Sequence, residues 1–206
     1  MNKFLTAAAF ITAFASVGAS ATVLDFNAEA DNQYWINSTT SQGFTETTLE
    51  TNGNIGLVHQ TDWYGNNANG TIQLISWTNG DSDSGFTLSQ VGGGLFSLNS
   101  FDFGNGYPDF GSAVTGVDII GTYANSSTTT QHFNATWGST NMVTLFANAS
   151  FANLSSVDFI AYGDYNRAAY DNITVNGSTN VPEPSSLLLM GLGLLGLGFS
   201  RKRTAK

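Results

Sequence analysis

Tyr170-Asp171-Asn172-Ile173-Thr174-Val175 closes the folded part of this 206-residue chain. Apolar Tyr170, Ile173 and Val175 stand among polar Asp171, Asn172 and Thr174, and the stretch reads as the last strand of the fold. Val23-Leu24-Asp25-Phe26 stands at the opposite end, and Val157-Asp158-Phe159-Ile160 precedes the closing stretch. Similar short runs recur between them: Phe44 to Leu49, Ile55 to Val58, Thr71 to Trp77, Phe86 to Leu88, Leu95 to Phe103, Val114 to Tyr123, Thr128 to Trp137 and Met142 to Phe146. Gly, Asn and Asp punctuate them, as at Asn52-Gly53-Asn54 and Asn79 to Gly85. No stretch keeps apolar residues at spacings of three and four, so the only helix expected is one turn at Ser150 to Leu154. The pattern predicts an all-β domain of roughly ten short strands, a β-sandwich or barrel.

The pairing of an opening Val-Leu-Asp-Phe with a closing Tyr-Asp-Asn-Ile-Thr-Val resembles the jelly-roll sandwiches of the galactose-binding-like and carbohydrate-binding-module group. That resemblance implies first and last strands lying side by side. It also implies a structural calcium between them, which here would fall to Asp25 and Asp171. Calcium takes six to eight hard oxygens, so carboxylates with nearby carbonyls would suit it.

The two ends read differently from the middle. Met1-Asn2-Lys3, the apolar stretch Phe4 to Gly18 and the small-residue site Ala19-Ser20-Ala21 form a signal peptide over 1–21, cut after Ala21 by signal peptidase. The other end runs Val181-Pro182-Glu183-Pro184, an apolar Leu/Gly segment over about 185–200, then Arg201-Lys202-Arg203. The prolines stop any element from running in, the apolar segment is a single transmembrane helix of roughly 24 Å, and the basic cluster stays on the cytoplasmic side. This order resembles the PEP-CTERM sorting signal of Gram-negative bacteria. The resemblance implies recognition by an exosortase, an inner-membrane-anchored precursor, a cut near Pro182-Glu183-Pro184, and release to the envelope or an extracellular polysaccharide matrix. A β-sandwich domain over 22–180 lies between signal peptide and the sorting signal over 181–206.

Charge narrows the partners of that domain. Arg167 is its one base against fourteen acids, a formal charge of −13 with the histidines neutral. Nucleic-acid affinity comes mainly from Lys and Arg neutralising phosphates, so nucleic acid is excluded, and anionic lipid surfaces equally. The chain contains no cysteine, so an exported fold must rely on its core or on a bound metal.

Enzyme chemistry finds little to use. There is no thiol and no Gly-x-Ser-x-Gly elbow, and His59 and His132 are not spaced as metal ligands. His59 with Asp62 would form a base and its orienter. Asp81-Ser82-Asp83-Ser84-Gly85 lacks the later ligands of an EF-hand loop and reads as a turn. Sugar binding needs aromatic faces beside amide and carboxylate groups. Two loops offer them: Trp63, Tyr64 and Asn66 in one, Tyr107 and Asp109 in the other. The sequence thus predicts an exported, non-catalytic envelope or matrix protein. The alternative is a carbohydrate-binding module with a structural calcium, and a third reading is a secreted hydrolase.

Overall fold

The computed structural model describes residues 21–29, 33–49, 56–60, 71–77, 84–106, 113–134, 142–164 and 167–176. The expected signal peptide and the expected transmembrane segment lie outside them, as do the loops 61–70 and 107–112. Among the described residues no helix is long and apolar enough to cross a membrane. One compact unit spans Ser20–Gly177.

That unit is a sandwich of two antiparallel sheets. Its described strands are β1 (Thr22–Leu24), β2 (Gln33–Ile36), β3 (Ser38–Ser41), β4 (Phe44–Thr48), β5 (Gly56–Gln60), β6 (Gln73–Trp77), β7 (Ser84–Gln90), β8 (Leu98–Asn105), β9 (Ala113–Tyr123), β10 (Thr128–Asn134), β11 (Val143–Phe146), β12 (Leu154–Asp164) and β13 (Arg167–Val175). One sheet runs β11-β8-β13-β6-β5-β2, with β1 also on β13; the other runs β10-β9-β12-β7-β4-β3. The expected side-by-side placement of the chain ends is present. Thr22 pairs with Val175 and Leu24 with Ile173.

Beta13 is interrupted by a bulge. Asn172 sits at φ 47°, and the register with β8 shifts between Asp171 and Thr174. This bulge adds one residue, so Tyr170, Ile173 and Val175 all reach the core although two residues rather than one lie between the first two. Asn tolerates this left-handed conformation better than most residues. The bulge is also where β13 changes neighbours. Arg167 to Tyr170 pair with β6, and Ile173 to Val175 pair with β1.

The core between the sheets is a run of rings. Phe86 of β7 stacks on Phe159 of β12 at 4.8 Å, and Tyr170 meets Phe86 edge-on at 5.0 Å. Phe101 and Phe103 of β8 abut Phe159 and Tyr170 at 5.1 Å in each case. Leu24, Leu74, Leu88, Val117, Ile119 and Val157 fill in around them, all fully buried. Inward residues of both sheets therefore interdigitate as the strand period requires.

One open side of the sandwich is tied across by side chains. Gln131 of β10 donates to the Phe146 carbonyl of β11 at 3.1 Å and accepts from the Asn148 N–H at 2.8 Å. Tyr123 adds a bond to the Ser150 carbonyl at 2.6 Å. The helical turn expected at Ser150 to Leu154 is not there. Residues 149–153 form turns and bends, the Phe151 N–H bonds the Asn148 carbonyl, and β12 begins already at Leu154. The Asn148 side chain, accepting from Ser150, holds the chain in the turn instead.

Candidate functional site

The densest group of interacting polar and aromatic side chains lies on the outer face of the six-stranded sheet, where β10, β9 and β12 run together. A tight turn at Ala124 to Ser127 starts it. Asn125 accepts from the Ser127 N–H and hydroxyl, and Ser126 takes φ 66°. From that turn the β9–β10 register places His132 opposite Asp118 and Asn134 opposite Gly116. The next register, β9–β12, places Tyr162 opposite Gly116 as well.

Gly116 is small for a visible reason. A Cβ there would lie 2.3 Å from the Tyr162 hydroxyl and 2.6 Å from the Phe133 carbonyl. The bare backbone lets Tyr162 extend across β9 to β10. Its ring lies nearly parallel to His132, 10° apart with centroids 5.3 Å apart. Its hydroxyl oxygen stands 2.7 Å from His132 Nε2 and 2.8 Å from Nδ1.

The imidazole is bound at both nitrogens. Nδ1 lies 2.5 Å from Asp118 Oδ1, and Nε2 lies 2.8 Å from Asn134 Oδ1. The Asp118 bond, then the Asn134 bond, hold the His132 pKa above its ordinary value. Nearly half of the His132 side chain (47 %) and a third of the Asp118 side chain (35 %) remain exposed. Asp158 continues the face on β12 and accepts from Thr87 of β7 at 2.7 Å.

This arrangement presents ring surface and hydrogen-bonding groups to solvent but does not free a base. A catalytic histidine needs a nitrogen available to a nucleophile or substrate proton. Both nitrogens of His132 have side-chain partners already.

A second polar group sits at the bulge of β13. Asp171 is fully buried and directly opposite Asp102. Asp171 accepts from the Thr71 hydroxyl and from the Asn172 N–H, each at 2.7 Å. Asp102 accepts from the Thr144 hydroxyl at 2.6 Å and from the Asn172 amide at 2.8 Å. Asp25, the other residue expected to hold calcium, accepts from the Gln42 amide at 2.6 Å. Protein donors therefore already engage the carboxylates of this junction. Among the described residues no group of three or more His, Cys, Asp or Glu is placed to hold a metal.

The expected ligand residues Trp63, Tyr64, Asn66, Tyr107 and Asp109 lie outside the described residues, as do Asp62, Asp81, Asp83 and the side chain of His59. The strands show where their loops leave the sheet. Residues 61–70 precede β6, whose Leu74 pairs with Tyr170, whereas 107–112 follow β8, whose Asn105 pairs with Ala168.

The sorting and processing residues Val181, Pro182, Glu183 and Pro184 and the basic stop Arg201, Lys202 and Arg203 are also beyond the described residues, but sequence comparison reaches them. Residues 180–203 match the PEP-CTERM protein-sorting motif. The chain carries an exosortase-type sorting signal. Such a motif marks an exported protein processed by an exosortase. No curated protein matches the chain.

Among solved structures, a family 29 carbohydrate binding module is 14 % identical, with a TM-score of 0.48 over 82 % of this chain and 97 % of its own. A CBM29-2 variant complexed with cellulohexaose is 15 % identical, with a TM-score of 0.48 over 77 % and 91 %. The enzymatically active domain of bacteriophage CBA120 tailspike protein 4 reaches 14 % identity and a TM-score of 0.43 over 65 % of this chain and 19 % of that one. Likeness at this level assigns neither ligand nor activity. The β-sandwich stands on the strand pairing itself.

Proposed function

We propose that this is an exported, non-catalytic component of the cell envelope or of an extracellular polysaccharide matrix, meeting neutral glycan on the outer face of its six-stranded sheet. The observation that carries this reading is the exposed His132 stacked on the half-buried Tyr162, with Asp118 and Asn134 beside them. Ring faces suit the apolar face of a sugar, and a carboxylate and an amide orient its hydroxyls. The acidic domain repels polyanions, which favours an uncharged glycan.

Trp63, Tyr64, Asn66, Tyr107 and Asp109 enter this reading as a second contact surface. A calcium ion between Asp25 and Asp171 enters it as a clasp on the paired chain ends. The β1–β13 pairing favours that ion, and the donors already on both carboxylates oppose it.

A neutral-glycan array probed with the exported protein, with Tyr162→Ala, and with Trp63→Ala and Tyr107→Ala tests the reading. Tyr162→Ala is expected to weaken binding roughly tenfold, about 1.4 kcal/mol, in keeping with the loss of one aromatic contact. Retention by no neutral glycan would remove the sugar and leave a structural matrix role. Unchanged binding in Tyr162→Ala with loss in the tryptophan and tyrosine loop variants would move the site to the loops.

A further inference from the structure

Exposed apolar side chains of the sandwich gather at one of its ends. Both ends of the folded chain lie there, since Thr22 pairs with Val175 and Val175 with Leu98. Asn176 fastens that end. Its N–H donates to the Ser97 carbonyl at 2.8 Å, and its side-chain carbonyl accepts from the Ser97 N–H at 3.3 Å. Just before Ser97, Phe96 turns inward onto Phe44 and pairs with Leu154, which leaves Leu95 facing out. Val91 donates to the Gly43 carbonyl in the β3–β4 turn at the same end. Phe146 closes β11 opposite Ser100, and the Ala147 N–H after it bonds the Asn99 carbonyl. Val91 and Leu95 are each more than half exposed, and Phe146 is 70 % exposed.

Charge sets this end apart as well. Its turns are Gln42-Gly43, Val91 to Ser97, Ala124 to Ser127 and Ala147 to Asn153. None of them contains Asp, Glu, Lys or Arg, although the domain carries fourteen acids. An apolar, uncharged patch on an otherwise acidic surface marks a contact. What it meets follows from the chain that leaves it. Pro182 is six residues on from Asn176, at most about 22 Å of extended chain, and the apolar segment over about 185–200 comes directly after Pro184. Upstream, the apolar stretch Phe4 to Gly18 leads into Thr22, which lies at the same end. Both apolar segments of the chain thus join the domain where its exposed apolar side chains are.

We propose that this end of the sandwich, through Val91, Leu95 and Phe146, sits in the interfacial layer of the bilayer while the sorting tail still anchors the chain. The inference rests on the tail as a membrane segment and is independent of any glycan. The fourteen acids oppose free association with an anionic surface, but none lies in these turns, so the contact itself brings no like charges together. Three side chains bury little area and bind a membrane weakly on their own. The tail raises their effective concentration at the bilayer, and cutting it removes that advantage, so processing also lifts the domain off. Until then the contact keeps Pro182-Glu183-Pro184 close to the membrane and leaves the outer face of the six-stranded sheet clear of it.

The test is fluorescence quenching in the uncut chain, purified from membranes of a host without an exosortase and reconstituted in phosphatidylcholine vesicles. Because the chain contains no cysteine, Leu95→Cys, Phe146→Cys and Leu49→Cys each take a single environment-sensitive label. Leu49, whose N–H bonds the Gly85 carbonyl at the start of β7, marks the opposite end. Nitroxide-bearing lipids are expected to quench the labels at 95 and 146 about threefold or more above the label at 49. Adding Leu95→Asp should return the label at 146 to solvent. With the chain floating on its vesicles, three results would overturn the docking alone: equal quenching at 95, 146 and 49, undiminished quenching at 146 in Leu95→Asp, or a blue-shifted label that lipid does not quench, which would put a protein surface there. A chain that fails to float with the vesicles would defeat the membrane-segment reading of the tail, and the docking with it.

Discussion

His132 is the side chain whose state most directly reports the exposed face. Its pKa lies above the ordinary 6.5, chiefly through the Asp118 bond. A raised folded-state value means that the protonated ring's contribution is complete below about pH 6.5 and is lost as pH rises through the raised value. Asp118→Asn should bring the His132 titration, followed by NMR, back down toward the ordinary value. An unmoved midpoint would show that Asp118 does not hold the ring. Gly116→Ala should destabilise by about 1–3 kcal/mol in denaturant unfolding, because its Cβ meets the Phe133 carbonyl, which cannot swing aside. A neutral effect there would mean that Tyr162 does not cross β9. The His132–Asp118 pair was open to the sequence in principle. Once Asn125 is taken as the turn, counting outward along the hairpin sets residue 118 against 132. What hid it was strand length, since one apolar run cannot fix a register to the residue.

Beta13 shows what an element adds to its sequence. The apolar residues of Tyr170 to Val175 announced a strand, and the jelly-roll resemblance foretold its pairing with the opening strand. Neither announced the bulge. An extra residue leaves the apolar count intact, and its trace is an Asn, a residue common everywhere in this chain. Asn172→Val should cost about 2–4 kcal/mol, combining a β-branched side chain at φ 47° with the lost bond to Asp102. Asn172→Gly keeps the conformation and should cost less, so chemical denaturation of the two separates backbone from side chain. Equal losses would show that the Asp102 bond alone matters. In the core, Phe159→Ala should cost about 3–5 kcal/mol, since its ring touches both Phe86 and Phe101. The hairpin of β3 and β4 was legible only in half. Gln42 at φ 47° and Gly43 at φ 86° form the two-residue turn preferred between twisted strands, but Ser38 to Ser41 carry no apolar period to reveal β3.

At the scale of the molecule, composition and order of segments carried most of the information. Aromatic residues and sparse charge spoke for a disulfide-free β-sandwich, and the absence of Lys and Arg from the domain, Arg167 aside, spoke against nucleic acid. The sorting signal was readable because its parts are contiguous. The exposed Tyr162–His132 face was not, because it draws on three strands from Asp118 to Tyr162 that only the fold brings together. The central claim is that this chain is exported and released from a processed precursor. Intact-mass spectrometry of the protein recovered outside the cell tests it most directly. The account predicts a species beginning near Thr22 and ending close to Pro182-Glu183-Pro184, without the apolar segment and its basic end. A recovered chain still ending at Lys206 would contradict it and make the tail a plain membrane anchor.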